Sequence, residues 1–367
     1  MDIRLENVLE YEQPTKYIVK SENYSDDFAL PVLTAGKSFV LGFTDETDGI
    51  CKASESPVII FDDFTADCKY VDFDFKVKSS AMKILHKANT EDNLKYYFYA
   101  MQAIDYTPFS HKRVWISEYS KFKIKSRSVA EQNNIVKELD TVATAIDNTK
   151  QRLNALDELV KSRFIEMFVE KGFKEITFSD YAEIIDGDRG KNYPKAEEFS
   201  DEGYCLFLSA KNVTKDGFLF EQMQFISEEK DNLLRKGKLC RGDIVITTRG
   251  TIGNIAFYDD DIPYDNVRIN SGMVIIRQKE VSFNQIFFLN AFKNKIDEIK
   301  ETNVTGAAQP QLPIHIMSKI KLLNPPIELQ NEFADFVKLI DKSKFIVQKQ
   351  IDDLQELLDS KMDEYFG

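Results

Sequence analysis

Two short motifs carry residue types that could do chemistry on nucleic acids. The first, Asn324-Pro-Pro-Ile327, is one residue away from the Asn-Pro-Pro-aromatic motif of amino-methyltransferases. That motif needs an aromatic ring that stacks on a flipped base, and Ile327 cannot supply one. Because no glycine-rich cofactor loop lies upstream either, we interpret this stretch as the start of a helix.

The second motif resembles the centre of a metal-dependent nuclease. Asp62 or Asp63, followed by Asp74-Phe-Lys76, would place two carboxylates and a lysine around a divalent cation. Short Asp-x-Lys matches often arise by chance, so we favour a strand from Phe73 to Val77 with alternating faces. A phosphate-binding G-x-x-x-x-G-K-[ST] loop is absent from the sequence, so we expect no ATP binding through such a loop.

The thiols and imidazoles predict no metal site. A zinc site needs closely spaced ligands, and the sequence has no C-x-x-C pair. We therefore expect small buried or half-buried thiols and no metal or cofactor in this chain. The scattered residues are Cys51, Cys68, Cys205, Cys240, His86, His111 and His315.

Charge and hydropathy limit the partners. The net charge of −13 argues against nucleic acid when taken alone, but the distribution of charge matters more than the sum. Basic clusters occur at 112–113, 121–127 and 235–241, and each is either a solvated surface or part of a binding surface. No apolar run approaches the roughly 18 residues of a membrane helix, and the charged N-terminus is unlike a signal peptide. We expect a cytoplasmic protein without membrane contact.

Two long stretches, 128–168 and 326–367, repeat each other without a gap and predict long helices. Gln132-Asn133 falls on Gln330-Asn331. Each stretch has apolar residues at a 3-4 spacing over about four heptads, which predicts a coiled coil. The seam positions, all apolar except Thr149 and Lys344, are Ile135, Leu139, Val142, Ile146, Thr149, Leu153, Leu156 and Val160, then Phe333, Val337, Ile340, Lys344, Val347, Ile351, Leu354 and Leu358.

The two polar seam positions favour an antiparallel pairing. If the seams are centred on each other, Thr149 faces Lys344, and this pair would set the register. The alternative is coincidence, with Lys344 extending its ammonium to solvent.

Two larger regions, 1–127 and 169–325, surround the first helix. Both contain short apolar and β-branched runs broken by turn residues, in the same order, such as Pro57–Phe61 and Asp243–Thr247. We predict a mixed α/β (α+β) fold with two globular domains joined by two long helices in an antiparallel coiled coil, pseudo-two-fold symmetric. A helix of about 38 residues would span ~57 Å.

Several of these segments together resemble one known family, the specificity subunits of Type I restriction–modification systems. The resemblance covers essentially the whole chain. It is carried by the helix ending Leu156–Phe168, the Pro-Pro-x-x-x-Gln start at 325–330, Phe73–Lys83 and Pro57–Phe64 in the first region, and Ser209–Asn212, Gly242-Asp243 and Thr248–Gly253 in the second.

The resemblance implies a non-catalytic DNA reader. It implies two target-recognition domains, each reading half of a bipartite double-stranded DNA sequence, and helices that fix the gap and dock two methyltransferase subunits. S-adenosylmethionine, ATP and Mg²⁺ would be bound by the methyltransferase and the restriction/translocase subunits, and not by this chain.

The predicted DNA contacts combine side chains that read bases with side chains that hold phosphates. Arg249 is the strongest candidate, because the adjacent Gly250–Gly253 turn lets the backbone approach closely. The other candidates are Thr251, Lys211, Asn212, Gln309 and Gln311 in the second region, and Lys37, Ser38, Thr65, Lys112 and Arg113 in the first.

Two other classes of protein fit parts of the pattern. A coiled-coil scaffold with two protein-binding domains would use the heptads equally well, although the duplicated domain and the Thr-Arg-Gly turn argue against it. A nuclease or methyltransferase in its own right is the third interpretation, and it depends on the two motifs set aside above.

Overall fold

The chain forms two compact units, each with its own hydrophobic core. The computed structural model describes residues 2–35, 38–109, 112–249, 252–279, 283–303 and 312–367, with the side chains of 301–303 left undescribed. Unit 1 comprises Met1–Gln151 and Val347–Gly367, and unit 2 comprises Arg152–Ile346. Both units therefore contain a β-rich domain and parts of two long helices.

Unit 1 begins with nine strands and a helix. They are β1 (Asp2–Arg4), β2 (Leu9–Glu12), β3 (Leu30–Leu33), β4 (Val40–Thr44), β5 (Val58–Asp62), β6 (Cys68–Val71), β7 (Lys76–Val77), β8 (Met82–Lys87), α1 (Leu94–Gln102) and β9 (Lys123–Lys125), followed by the long helix α2 (Val129–Phe164), which continues into unit 2.

Two sheets form the centre of unit 1. The larger has the order β2-β8-β5-β6, and the smaller has the order β4-β3-β7, in which β3 and β7 run parallel. β5 is an uninterrupted buried run because both of its faces are covered by packed side chains. A third, two-stranded sheet pairs β1 with β9 next to the start of α2.

Unit 2 repeats this series with a short added hairpin. Its elements are β10 (Glu175–Thr177), α3 (Phe178–Tyr181), β11 (Ala182–Asp186), β12 (Cys205–Leu208), β13 (Val213–Thr214), β14 (Gly217–Phe218), β15 (Phe225–Ile226), α4 (Glu228–Leu233), β16 (Asp243–Thr247), β17 (Ile255–Tyr258), β18 (Val267–Ile269), β19 (Met273–Gln278), α5 (Gln285–Asn303), α6 (Ile314–Met317), β20 (Lys321–Leu323) and the long helix α7 (Ile327–Phe366), which continues into unit 1.

The sheet topology of unit 2 is that of unit 1. Its larger sheet has the order β11-β19-β16-β17, and its smaller sheet has the order β15-β12-β18, again with one parallel pair, β12 and β18. β10 and β20 form the two-stranded sheet. The sequence prediction of two mixed α/β domains of one kind is confirmed.

The two long helices are packed together and run antiparallel, as the sequence predicted. In unit 2, Arg163 of α2 lies 3.4 Å from Glu332 of α7, and Asp157 of α2 forms an ion pair with Lys344 of α7. In unit 1, Glu138 near the start of α2 accepts a hydrogen bond from Tyr365 near the end of α7, at 2.6 Å. A π-helical turn, Ile165–Val169, follows α2.

All sixteen predicted seam positions are buried or half-buried. The two polar ones, however, find their partners within their own units. The Thr149 hydroxyl donates to the Ala145 carbonyl at 2.7 Å, and the Lys344 ammonium binds Asp157. The pairing of Thr149 with Lys344 across the seam stays a prediction.

The repeated Gln-Asn pairs fasten each domain to a long helix. In unit 1, the Gln132 side-chain oxygen accepts from the Asn93 backbone N–H at 2.8 Å, and Asn133 accepts from the Asn93 side chain at 2.8 Å. Asn93 in turn caps α1. In unit 2, Gln330 and Asn331 make the same two bonds to Asn284, both at 2.9 Å. We call each of these arrangements the Gln-Asn clamp.

None of the helices in the described part of the chain combines the length and the apolar composition that crossing a bilayer requires.

Candidate nucleic-acid interface

In unit 1, the turn after β5 is shaped by an aspartate. Asp62 Oδ1 accepts hydrogen bonds from the backbone N–H groups of Phe64 at 2.8 Å and Thr65 at 3.3 Å. Ala66 has a positive φ of 65°, which closes the turn. The predicted DNA contact Thr65 is thereby held, exposed, at the end of the larger sheet.

A second buried aspartate fixes the segment that carries Lys112 and Arg113. Asp63 Oδ1 accepts from the Val114 N–H at 3.1 Å and the Trp115 N–H at 2.9 Å. Its other carboxylate oxygen lies 3.3 Å from Lys83 Nζ, and both of these side chains are buried. Lys112 and Arg113 are exposed and directly precede this anchor, so they project from the same end of the sheet as Thr65.

The β3–β4 hairpin borders the same turn. The Thr34 hydroxyl donates to the Ser38 carbonyl at 2.9 Å, and Ser38 is exposed. Thr34 and Phe39 line a small cavity together with Asp62 and Asp67, which places the hairpin beside the β5–β6 turn. The structure thus brings Ser38, Thr65, Lys112 and Arg113 to one end of unit 1, whereas Lys37 lies outside the described residues.

Unit 2 builds the matching end of its sheet around Thr248. The Thr248 N–H and hydroxyl both donate to the Gly272 carbonyl, at 2.9 and 3.0 Å. Arg249 follows at once and is exposed. On the far side of the turn, Asn254 Nδ2 donates to the Val213 carbonyl at 2.9 Å, which ties this turn to the segment that contains Lys211. Thr251, Gln309 and Gln311 lie outside the described residues.

Lys211 and Asn212 have opposite environments. Lys211 is exposed, and its ammonium donates to Gln222 at 3.2 Å. Asn212 is 2% exposed, and its amide accepts from the Ser209 N–H at 2.9 Å and donates to the Leu219 and Gln222 carbonyls. Because every polar atom of the Asn212 side chain is used inside the domain, a structural role replaces the predicted base contact.

The basic clusters differ in how far their charges are already used. Arg241 binds the carbonyl of Ile262 and the carboxylate of Asp265, both at 2.9 Å. Lys125 donates to the Gly367 carbonyl at 2.5 Å. Arg235 and Lys236 are exposed, and within the described residues neither forms an ion pair with a carboxylate. The sequence identified this cluster but did not separate its free cations from its structural ones.

The residues of the nuclease-like motif do not converge on one site. Asp74 binds Lys52 at 2.7 Å and the Ser54 hydroxyl at 2.5 Å. Lys76 is buried and lies 3.0 Å from Glu46. The strand there is also shorter than the predicted Phe73–Val77, because only Lys76–Val77 pair with β3.

Most of the other chemical candidates have structural environments, but the prediction of a buried or half-buried thiol is wrong for Cys240, which is exposed. Asn324-Pro-Pro-Ile327 leads into α7, and the Pro325 carbonyl accepts from Gln330 Nε2 at 2.9 Å. Burial raises the pKa of Cys51 to about 11 and the pKa values of Cys68 and Cys205 to about 12, so these thiols stay protonated at neutral pH. Across the ranges that the structure describes, no three His, Cys, Asp or Glu residues are grouped so as to hold a metal ion.

Comparison with known proteins identifies the class to which this architecture belongs. Residues 170–356 match the sequence profile described as the Type I restriction modification DNA specificity domain. The chain resembles the specificity subunit of the Type I restriction enzyme EcoR124I/EcoR124II from Escherichia coli, with 30% identity over 379 residues that cover 98% of this chain and 91% of the relative. The chain therefore belongs to the family of Type I restriction–modification specificity subunits, which are non-catalytic DNA-binding subunits.

More distant relatives have the same description or the same fold. The specificity subunit of the Type I restriction enzyme MjaVIII from Methanocaldococcus jannaschii is 24% identical over 312 residues, covering 76% of this chain and 71% of that protein. The crystal structure of the Type I restriction–modification S subunit from M. genitalium matches with a TM-score of 0.51 at 16% identity, covering 100% of this chain and 96% of the other. Membership of this family excludes the scaffold interpretation.

Proposed function

We propose that residues 1–127 and 169–325 are two target-recognition domains, each of which reads one half of a bipartite sequence in double-stranded DNA. The observation that carries this proposal is the duplicated topology. In unit 1, the residue after β5 accepts a backbone hydrogen bond from the segment that precedes β9, from Val114 N–H to the Asp63 carbonyl at 3.0 Å. In unit 2, the residue after β16 accepts the matching bond from the segment that precedes β20, from Leu312 N–H to the Thr248 carbonyl at 3.3 Å. Because the two units present equivalent ends of equivalent sheets, each unit can bind DNA in the same way.

The side chains at these ends have the chemistry for reading base pairs. An arginine fork binds guanine O6 and N7 in the major groove, while lysine and hydroxyl groups hold phosphates. Unit 2 presents Arg249 and Lys211, and unit 1 presents Arg113, Lys112, Thr65 and Ser38. We propose that Arg249 and Arg113 read bases and that the others position the backbone. Thr251, Lys37, Gln309 and Gln311 remain candidates for the same surface.

The helices 128–168 and 326–367 are proposed to fix the gap between half-sites and to bind two methyltransferase subunits. Among the large apolar side chains that α7 exposes away from the seam, three are more than half exposed, Leu339 at 62%, Phe345 at 74% and Ile346 at 58%. Apolar groups of this size on a helix surface are suited to a protein partner. S-adenosylmethionine, ATP and Mg²⁺ are assigned to the methyltransferase and restriction/translocase partners.

A map of adenine methylation tests the proposal directly. We expect deletion of this gene from its host to remove methylation from one motif, made of two short halves around a fixed gap. Complementation with Arg249→Ala should relax one half of that motif, and Arg113→Ala should relax the other half. Each should weaken discrimination by about 1–3 kcal/mol, or roughly 5- to 150-fold.

The control is Lys171→Ala, which removes an exposed cation between α2 and β10, outside the candidate interface and outside the helices 128–168 and 326–367, and should leave both halves unchanged. If both interface variants relax the same half, the assignment of one half to each domain is wrong. An unchanged map in the deletion strain would contradict the function as a whole.

A further inference from the structure

Two loops of unit 2 are packed against each other at the end of β11. Loop 187–191 follows β11, and segment 234–238 precedes β16. Gly237 has a φ of +83°, and a Cβ added to it would lie 3.2 Å from the Cα of Gly187. A Cβ added to Gly187 would lie 2.2 Å from the Asn270 carbonyl oxygen. Only glycine allows such close backbone packing at both positions.

A buried carboxylate joins the two loops. Asp188 is 8% exposed; its Oδ1 accepts from the Gly190 N–H and its Oδ2 from the Arg235 N–H, both at 2.8 Å. These backbone hydrogen bonds hold the pKa of Asp188 below its ordinary value, so the group is ionised at neutral pH. Asp188 therefore fixes the backbone from which Arg189, Lys191, Arg235 and Lys236 project.

These four cations are exposed and largely unpaired. Arg189 lies 3.0 Å from Asp186, whereas Lys191, Arg235 and Lys236 form no ion pair with any carboxylate in the described residues. Residues 187–191 and 234–238 carry five cations and one carboxylate, Asp188, whose charge acts on Arg235. Positive charge is therefore in excess on these two joined loops of a chain with a net charge of −13. Such a concentration attracts an anionic partner and loses affinity as salt rises.

The cations lie at the end of the sheet where unit 2 presents Arg249. Arg189 Nη2 donates to the Ser271 carbonyl at 3.3 Å. The next residue, Gly272, accepts both hydrogen bonds from Thr248, which directly precedes Arg249. The loop cations and the candidate base reader therefore border the same stretch of backbone.

We propose that Arg189, Lys191, Arg235 and Lys236 form a phosphate-binding edge, which binds the DNA backbone beside the half-site read by unit 2. The proposal rests on the proposed function. The edge contacts phosphates, so it contributes affinity and position without selecting a sequence. In unit 1, β2 holds the place of β11, and residues 13–17 follow it. Their one cation, Lys16, has its Nζ 2.5 Å from a Glu12 carboxylate oxygen, so this segment lacks a comparable group of cations.

The test is the salt dependence of DNA binding by the full-length chain in complex with its methyltransferase subunits. Affinity is measured by fluorescence anisotropy for two 30-bp duplexes, one with the mapped target and one of random sequence. Because each lost phosphate contact lowers the log–log salt slope by about 0.9, R235Q/K236Q should lower it by about 1.8. At 0.1 M salt, affinity should fall about tenfold or more for both duplexes.

The matched control is K171Q/K174Q, which removes the same charge from two exposed lysines between α2 and β10. It should leave the salt slope unchanged. An unchanged slope in R235Q/K236Q, or a loss confined to the target duplex, would overturn the phosphate-binding edge. A wild-type complex that binds neither duplex would instead refute the proposed function, and the phosphate-binding edge would fall with it.

Discussion

Units 1 and 2 share a topology but stabilise it with different buried charges. Lys76 on β7 and Arg268 on β18 occupy equivalent places on the strand that pairs in parallel with β3 or β12. Lys76 binds Glu46 and the Asp48 carbonyl, at 3.0 and 2.6 Å. Arg268 binds the Asp231 carboxylate and the Lys236 carbonyl, the latter at 2.8 Å.

The difference lies in how completely the acidic partner is removed from water. The Glu46 side chain is 15% exposed, and the Asp231 side chain is 1% exposed. Asp231 also receives a second cation, Lys238. Both units thus place a cation at this strand position and pair it with a carboxylate from a preceding segment, the loop after β4 in unit 1 and α4 in unit 2. In both units, the pair ties that preceding segment to the parallel strands.

The largest expected effect is a difference in the stability lost when each ion pair is broken. Asp231→Ala leaves the Arg268 guanidinium buried without a counter-charge, so we expect unit 2 to lose about 3–5 kcal/mol of stability. Glu46→Ala should cost less, about 1–2 kcal/mol, because Glu46 borders solvent and its removal lets water reach the buried Lys76 ammonium. Urea unfolding measures both, with fluorescence of the single Trp115 reporting unit 1 and far-UV circular dichroism reporting the whole chain.

The control replaces both charges of the unit 2 pair with apolar residues of similar size. We expect D231L/R268M to recover most of the loss, since no buried charge is left unpaired. Equal losses for Asp231→Ala and Glu46→Ala would contradict the contrast that we draw from burial.

A smaller effect should be the same in both units. Gln132→Ala and Gln330→Ala each remove the acceptor of a backbone N–H, that of Asn93 or of Asn284. Because the Gln-Asn clamps have the same geometry, we expect equal losses of about 1–3 kcal/mol. Gln348→Ala, on an exposed turn of α7, is the control and should change stability by no more than about 0.5 kcal/mol. A clear inequality between the clamps would show that the junctions have diverged.

The smallest expected effect is a loss of stability in unit 2 at low pH. Burial acts to raise the pKa of Asp231, but hydrogen bonds and charge from Lys238 and Arg268 outweigh it and hold that pKa below its ordinary value. The pKa of Asp188 is lowered by backbone hydrogen bonds. A carboxyl whose folded pKa is lowered stabilises the fold above its unfolded pKa, about 3.9, and loses that contribution as pH falls through the folded value.

We therefore expect unit 2 to lose stability steeply below about pH 4, and Asp188→Asn to make that loss shallower. Urea midpoints measured from pH 5 down to pH 2.5 would check this. An acid dependence that is unchanged in the variant would show that Asp188 does not contribute to it.

The long helices could be predicted closely because their signal is local and repeated. The 128–168 and 326–367 stretches became Val129–Phe164, with a π-helical turn after it, and Ile327–Phe366. The partners of the polar seam residues could not be predicted, since a lysine side chain reaches past the seam. Lys344 binds Asp157, which lies on the flank of α2.

The candidate interface was only partly readable from the sequence. The glycines at 250 and 253 indicated Arg249, and the basic cluster at 112–113 indicated Lys112. Both side chains are exposed. Asn212 looked equally polar, but its amide is satisfied by carbonyls seven and ten residues away. The role of Asp188 could not be predicted from the sequence, because its partner, the Arg235 N–H, lies 47 residues further along the chain. Contacts of that range depend on the folded topology and not on any local pattern.

The Gln-Asn clamp has a consequence for how such a gene can change. Both domains attach to a long helix through the same donors and acceptors, so the two junctions are chemically interchangeable. A recombination event that replaced one domain-coding segment with another of the same family would meet a compatible junction at either place. The two clamps therefore allow one β-rich domain to be exchanged for another while the long helices and their attachment bonds stay the same.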